Sequence, residues 1–160
     1  MKKDDKTNVM RVLDQKRVEY KAYSYETDGT LTGAQIAAML GLDPSMVFKT
    51  LVTVGKTGQH YVFVIPVEAE LDLKLAAKAA REKNIEMVKS RELLPLTGYI
   101  HGGCSPIGMK KFFPTFIDSS AEDRDTIAFS AGRIGRQVEV SPAALAGVIS
   151  FSFAPLIQNS

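Results

Sequence analysis

F-K-T-L-V-T-V-G-K-T-G-Q-H-Y-V-F-V-I-P-V, from Phe48 to Val67, holds two runs of β-branched and aromatic residues around a polar turn. Residues 48–54 and 60–67 read as strands. Between them Gly55-Lys56-Thr57-Gly58 suits a hairpin turn, because glycine supplies the positive φ that tight turns require. Two adjacent strands of this apolar character belong near the centre of a sheet.

Outward from this hairpin, signals for helix and strand alternate irregularly. Residues 7–16 place Val9, Met10, Val12 and Leu13 on helical spacing behind a Thr7 N-cap, and residues 18–25 alternate as a strand. Thr32-Gly33-Ala34-Gln35 has capping-box spacing ahead of Ile36, Met39, Leu40 and the stop signal Gly41, which predicts a second helix. Asp72 can cap a helix running to about Lys83, and Ser90 a shorter one ending before Pro95. After Gly98 the chain reads as a loop through Pro106. Residues 112–117, 126–129 and 137–140 are short strand candidates, and Ser141-Pro142 is an N-cap followed by Pro at the first helical position. No internal repeat or linker interrupts the chain, so residues 1–160 read as one mixed α/β (α+β) domain around a central sheet flanked by helices.

The 160 residues are 45% hydrophobic, enough for a substantial core. A net charge of +2 neither demands nor excludes a nucleic-acid partner. One cysteine, Cys104, cannot form an internal disulfide, and with His60 and His101 it cannot build a CxxC-type metal site, so neither metal nor cofactor is expected and a reducing cytoplasm is. The basic-then-acidic start, M-K-K-D-D-K, lacks an apolar signal region, and no apolar run approaches the roughly 20 residues that span a bilayer. No membrane partner is expected.

Four segments could carry chemistry. Gly55-Lys56-Thr57 resembles the end of a phosphate-binding loop, but position 50, where that motif requires Gly, is Thr, so a plain turn is the better reading. Cys104 and His101 suggest a thiol nucleophile with its base. Such pairs normally converge from distant segments, and a lone small thiol is usually packing material. The loop His101 to Gly108 carries three glycines that let backbone N–H groups approach a phosphate or a developing oxyanion, although such clusters also mark ordinary turns. Ser130-Ala131-Gly132-Arg133-Ile134-Gly135-Arg136 offers two guanidinium groups to phosphates or, equally, to solvent. Lys49 lies within an apolar strand, sharing a face with Leu51. It either donates charge and hydrogen bonds inside a cleft or protects a sheet edge.

Taken together, F-K-T-L at Phe48 to Leu51, G-G-C-S-P-I-G-M-K-K at Gly102 to Lys111 and S-A-G-R-I-G-R-Q-V-E-V-S-P at Ser130 to Pro142 resemble the YbaK/EbsC family. That family lies in the superfamily of the prolyl-tRNA synthetase editing domain, and the resemblance covers nearly the whole chain. It implies a barrel-like, mostly antiparallel mixed sheet and removal of a wrongly attached amino acid from tRNA. The nearest functional type is a trans-acting Cys-tRNA(Pro) deacylase, with Cys-tRNA(Cys) as a second substrate. A non-catalytic RNA-end or nucleotide-binding module, or a deacylase for another small amino acid such as Ala, are the alternatives. Implied partners are mischarged tRNA and, as a candidate, prolyl-tRNA synthetase.

By the same resemblance Lys49 is the catalytic residue. Gly102, Gly103, Cys104, Ser105 and Pro106 form the G-x-x-x-P loop that meets the tRNA 3′ end, and Ser130 and Gly132 complete the site. Thr32 and Thr50 join the substrate-binding set. Thr32 stands where some members carry an aromatic residue, so the amino-acid pocket differs there. A pocket tyrosine falls on Tyr25, with Tyr23 as the alternative. Cys104 occupies a variable position of the loop, and the family uses no enzyme nucleophile there: the substrate's own thiol attacks its ester and leaves as a thiolactone.

Overall fold

The structure is a computed structural model that describes residues 5–158. The basic Lys2 and Lys3 of the N-terminus lie outside the described residues.

The predicted hairpin is the spine of the molecule. β2 (Phe48–Gly55) and β3 (His60–Pro66) pair antiparallel, from Phe48 opposite Pro66 to Val54 opposite His60. Gly58 closes the turn at φ +90°, with its N–H donating to the Gly55 carbonyl at 2.9 Å. β3 is buried along almost its whole length because both its faces are covered. Val62 and Val64 point into the main core, while Tyr61, Phe63 and Ile65 pack in a second cluster with Leu71, Ala76 and Ala77. The last two belong to α3 (Leu73–Ala80), whose N-cap Asp72 accepts from the N–H groups of Lys74 and Leu75. This helix stops short of Lys83 because Arg81 turns left-handed, at φ 60°.

Five strands form the larger sheet, in the order β4-β2-β3-β5-β8. β5 (Thr115–Asp118) runs parallel to β3, and β8 (Ser152–Ala154) runs parallel to β5. β4 (Ile85–Met87) pairs antiparallel with β2, opposite Thr53 to Gly55 only. A second, antiparallel sheet has the order β1-β7-β6, formed by β1 (Lys21–Ser24), β6 (Ile127–Ser130) and β7 (Arg136–Val140). Antiparallel pairings outnumber parallel ones, as expected. The barrel-like expectation is sharpened: instead of closing into a barrel, the two sheets meet at a single parallel bridge, Val47 with Ala128.

Both sheets contribute to the main core, through Val62, Val64 and Ile117 from one and Ile127, Phe129 and Val138 from the other. α1 (Asn8–Gln15) covers it with Val9, Met10 and Leu13 behind the predicted Thr7 cap. α2 (Gly33–Leu40) has the predicted capping box, with the Thr32 and Gln35 side chains each accepting from the other's backbone N–H, and ends at Gly41. α5 (Pro142–Leu145) starts behind Ser141 as expected.

α4 (Ser90–Thr97) departs from expectation twice. Ser90 is its first residue rather than its cap, and Pro95 lies inside it. A proline removes one hydrogen bond and crowds the preceding turn. Here Glu92 holds the N-terminus by accepting from the Lys89 N–H at 3.0 Å, and the buried Leu93 and Thr97 anchor the helix on either side of Pro95.

Candidate active site

β2 has β3 along one edge, but β4 covers its other edge only from Thr53 onward. Between that pairing and the Val47–Ala128 bridge, the strand edge is open. A cavity of roughly 400 Å³ occupies the gap, with Lys49, Thr50 and Leu51 in its wall. The start of α2 and the segment after β1 close it on one side, and the glycine loop and the β6–β7 connection on the other.

Lys49 is half-buried and makes no ion pair with another described residue. Burial pushes its ammonium below the ordinary lysine range, and the Glu70 carboxylate pulls it partly back. The side chain is therefore a cation held at a cavity wall rather than a solvated edge lysine. Thr50, its neighbour, has a hydroxyl oxygen buried without a hydrogen-bond partner.

Seven of the expected residues converge on the cavity: Tyr25, Thr32, Lys49, Thr50, Gly102, Cys104 and Ser130 all line it. Of the two tyrosines, Tyr25 is the one that lines the cavity. Tyr23 is engaged in the sheet, its hydroxyl donating to Glu139 at 2.6 Å, and that hydrogen bond, aided by burial, pushes its pKa up to about 12. The remaining four stand behind the wall. Gly103 lies against the Arg133–Ile134 backbone, where a Cβ would come within 3.2 Å of the Ile134 nitrogen. Ser105 is fully buried, its Oγ accepting from the Ile107 N–H at 3.3 Å, and Pro106 is buried beside it. Gly132 donates its N–H to Ser130 Oγ at 3.1 Å and adopts φ +94° with Tyr99 and Val9 against it, so it shapes the turn that carries Ser130.

Gly102 also has positive φ, +87°, which suits glycine at the point where the loop backbone faces the cavity. Cys104 is 7% exposed. Burial pushes its thiol up to about 12, against a smaller downward pull from Thr97, so it stays protonated at neutral pH and is a poor nucleophile.

Gln137 was missed by sequence reasoning. It lines the cavity with its Oε1 buried and unpartnered, like the Thr50 hydroxyl. Its sequence signal was weak, a polar residue alternating with Val138 and Val140 in a short strand that also carries Glu139. The neighbouring arginines are not free cavity groups: Arg136 is mostly buried and pairs with Asp5 at 3.2 Å, and Arg133 lies 3.8 Å from the same carboxylate. Gly55 to Gly58 forms the expected turn, tied down by Thr57 donating to Glu82 at 2.5 Å.

The cavity thus joins one cation, one loop backbone and two unsatisfied polar side chains, with no activated nucleophile among its lining residues. A profile of the aminoacyl-tRNA editing domain matches residues 27–148. The chain belongs to the aminoacyl-tRNA editing domain family. The matched span contains Lys49, the Gly102 to Pro106 loop, Ser130 and Gly132, while Tyr25 lies just ahead of it. Over 156 residues the chain is 44% identical to EbsC of Enterococcus faecalis, named as a candidate Cys-tRNA(Pro)/Cys-tRNA(Cys) deacylase, covering 97% of this chain and 95% of that protein. Among solved structures, a hypothetical protein superposes with a TM-score of 0.86 at 23% identity, covering 95% of this chain and 100% of the other. A candidate trans-editing enzyme for prolyl-tRNA synthetase superposes with a TM-score of 0.80 at 21% identity, covering 96% and 99%. At such identities these two likenesses establish the editing-domain fold. Among the described residues no helix is long and apolar enough to cross a membrane.

Proposed function

We propose that this protein, acting as one editing domain over its whole length, is a trans-acting deacylase that clears mischarged tRNA in the cytoplasm. Its leading substrate is Cys-tRNA(Pro) and its second Cys-tRNA(Cys). The observation that carries the reading is a cavity that offers Lys49 and the Gly102 backbone to an ester while keeping its one thiol protonated. The 44% identical relative, named for the same two substrates, supports the choice.

In this reading the aminoacyl end enters between Lys49 and the glycine loop. The cysteine sulfur of the substrate attacks its own ester carbonyl, forming a C–S bond. The C–O bond to the terminal ribose then breaks, and the thiol proton ends on the departing ribose oxygen. Lys49 stabilises the negative charge that develops on oxygen, and the Gly102 backbone and Ser130 hold the ester in place. Thr50 and Gln137 bring unsatisfied polar atoms that a bound aminoacyl group can partner. Using the substrate thiol as nucleophile also solves a selectivity problem, since one methylene difference between small amino acids is worth only about 1–3 kcal/mol in binding. Prolyl-tRNA synthetase is the proposed partner that hands over the tRNA.

The test is a deacylation panel of Cys-tRNA(Pro), Cys-tRNA(Cys) and Ala-tRNA(Pro), with product analysis. The expected result is turnover of the Cys substrates with thiolactone among the products, abolished by Lys49→Ala and largely kept by Cys104→Ala. Activity lost in the Cys104 variant but kept in the Lys49 variant sinks the mechanism.

A further inference from the structure

The glycine loop continues, past the residues that line the cavity, into a surface with different chemistry. Phe112 is 70% exposed, more than any other large hydrophobic side chain among the described residues. Its neighbour Phe113 is buried, with its ring 5.4 Å from that of His60. Pro114 restricts Phe113 to extended backbone, and its carbonyl accepts from the Val62 N–H at 2.9 Å. The chain is thus locked to β3 on one side of Phe112, and its ring is held outward by a fixed backbone. On the other side the Lys110 N–H donates to the Thr97 carbonyl at 2.9 Å. Lys110 and Lys111 are both exposed, and neither forms an ion pair with another described residue. From Lys89 to Phe112 four bases (Lys89, Arg91, Lys110, Lys111) face one acid, Glu92, a net charge of +3 in a chain whose total is +2.

We propose that Lys110, Lys111 and Phe112 form a docking surface for the acceptor strand of tRNA. The choice of RNA rests on the deacylase reading. Two unpaired lysines beside a presented aromatic face match a strand of phosphates and unpaired bases: the cations displace counterions from phosphates, and the ring stacks on a base. A protein partner fits less well, because lysine is depleted from the cores of protein interfaces. The position also fits. Leu93 lines the cavity, Thr97 lies one helical turn further on, and Lys110 is hydrogen-bonded to Thr97, which puts its backbone on the order of 10 Å from the cavity wall. That is about three nucleotides stacked at ~3.4 Å each. The surface would grip the strand just before its aminoacylated end enters the cavity.

The test is fluorescence anisotropy with an uncharged RNA hairpin carrying a tRNA acceptor stem and its single-stranded 3′ end, using the full chain. Lys110→Glu with Lys111→Glu should weaken binding about tenfold or more and flatten the slope of log affinity against log salt by about 0.7 per lost contact. Phe112→Ala should weaken it about tenfold, and Phe112→Tyr should restore it. On Cys-tRNA(Pro) the same variants should raise KM and leave kcat near the wild-type value. Wild-type protein that does not bind the hairpin, or variants that bind it as wild type does, overturn the proposal. Variants that bind RNA normally but lose association with prolyl-tRNA synthetase also overturn it and give the surface to a protein. If no aminoacyl-tRNA is deacylated yet RNA binding depends on these three residues, the docking surface stands and the deacylase reading falls.

Discussion

Lys49 sits between opposing influences, burial that disfavours its charge and Glu70 that favours it, with burial the larger. If the ammonium is the working form, the deacylation rate falls as pH rises through a value below that of an ordinary lysine. Glu70→Gln removes the favourable carboxylate, lowers the Lys49 pKa further and moves the alkaline limb to still lower pH. A pH–rate profile of both proteins, corrected for spontaneous ester loss, checks the sign. Thr50 and Gln137 make a complementary case, because each leaves a buried oxygen unpartnered. Such an atom costs about 1–3 kcal/mol in the empty protein. Thr50→Val should therefore leave denaturant stability equal or higher while lowering kcat/KM on Cys-tRNA(Pro) at least several-fold. A variant that loses stability and keeps activity would show that the hydroxyl has a structural task instead.

The element scale separates what holds the fold from what shapes the site. Asp72 caps α3, none of whose residues lines the cavity, and Thr32 caps α2 at the cavity, each through its side-chain oxygen. Asp72→Ala should cost about 1 kcal/mol of unfolding free energy and leave turnover per folded molecule unchanged. Thr32→Ala should cost a similar amount and also raise KM, because the first turn of α2 forms part of the cavity wall. Urea titrations with steady-state kinetics on the same samples distinguish the two. These caps were legible in the sequence because a cap is local, a side chain closing on an N–H two or three residues away. β4 and β8 were not legible. Each is three residues long and exists because a partner strand, β2 or β5, offers it hydrogen bonds. Pro95 misled for the same reason, since tertiary anchoring by Leu93 and Thr97 outweighs the local signal to stop.

For the whole molecule, the seam between the sheets controls the site. Val47 and Ala128 bridge it, and with Ala37 they form a small buried cluster at the base of α2. Ala128→Leu would overfill this cluster, at a cost of about 1–3 kcal/mol, and shift Val47, the residue two before Lys49. Deacylation should fall by more than the loss of folded protein accounts for, as measured at a temperature where circular dichroism shows the variant fully folded. Full activity in the folded variant would show that the seam does not set the position of Lys49. The sequence by itself determined the central hairpin, the caps and punctuation of most helices, and the motifs that single out Lys49, the Gly102 loop and Ser130. Those features depend on residues close along the chain or on a pattern of residue types. Only the tertiary structure decided that two sheets meet at an open seam and that Tyr25 rather than Tyr23 faces the cavity. It also decided that Ser105 and Pro106 stand behind the wall and that Gln137 joins it. Each of these depends on which distant strand lies alongside, and strand pairing leaves little trace in the local sequence.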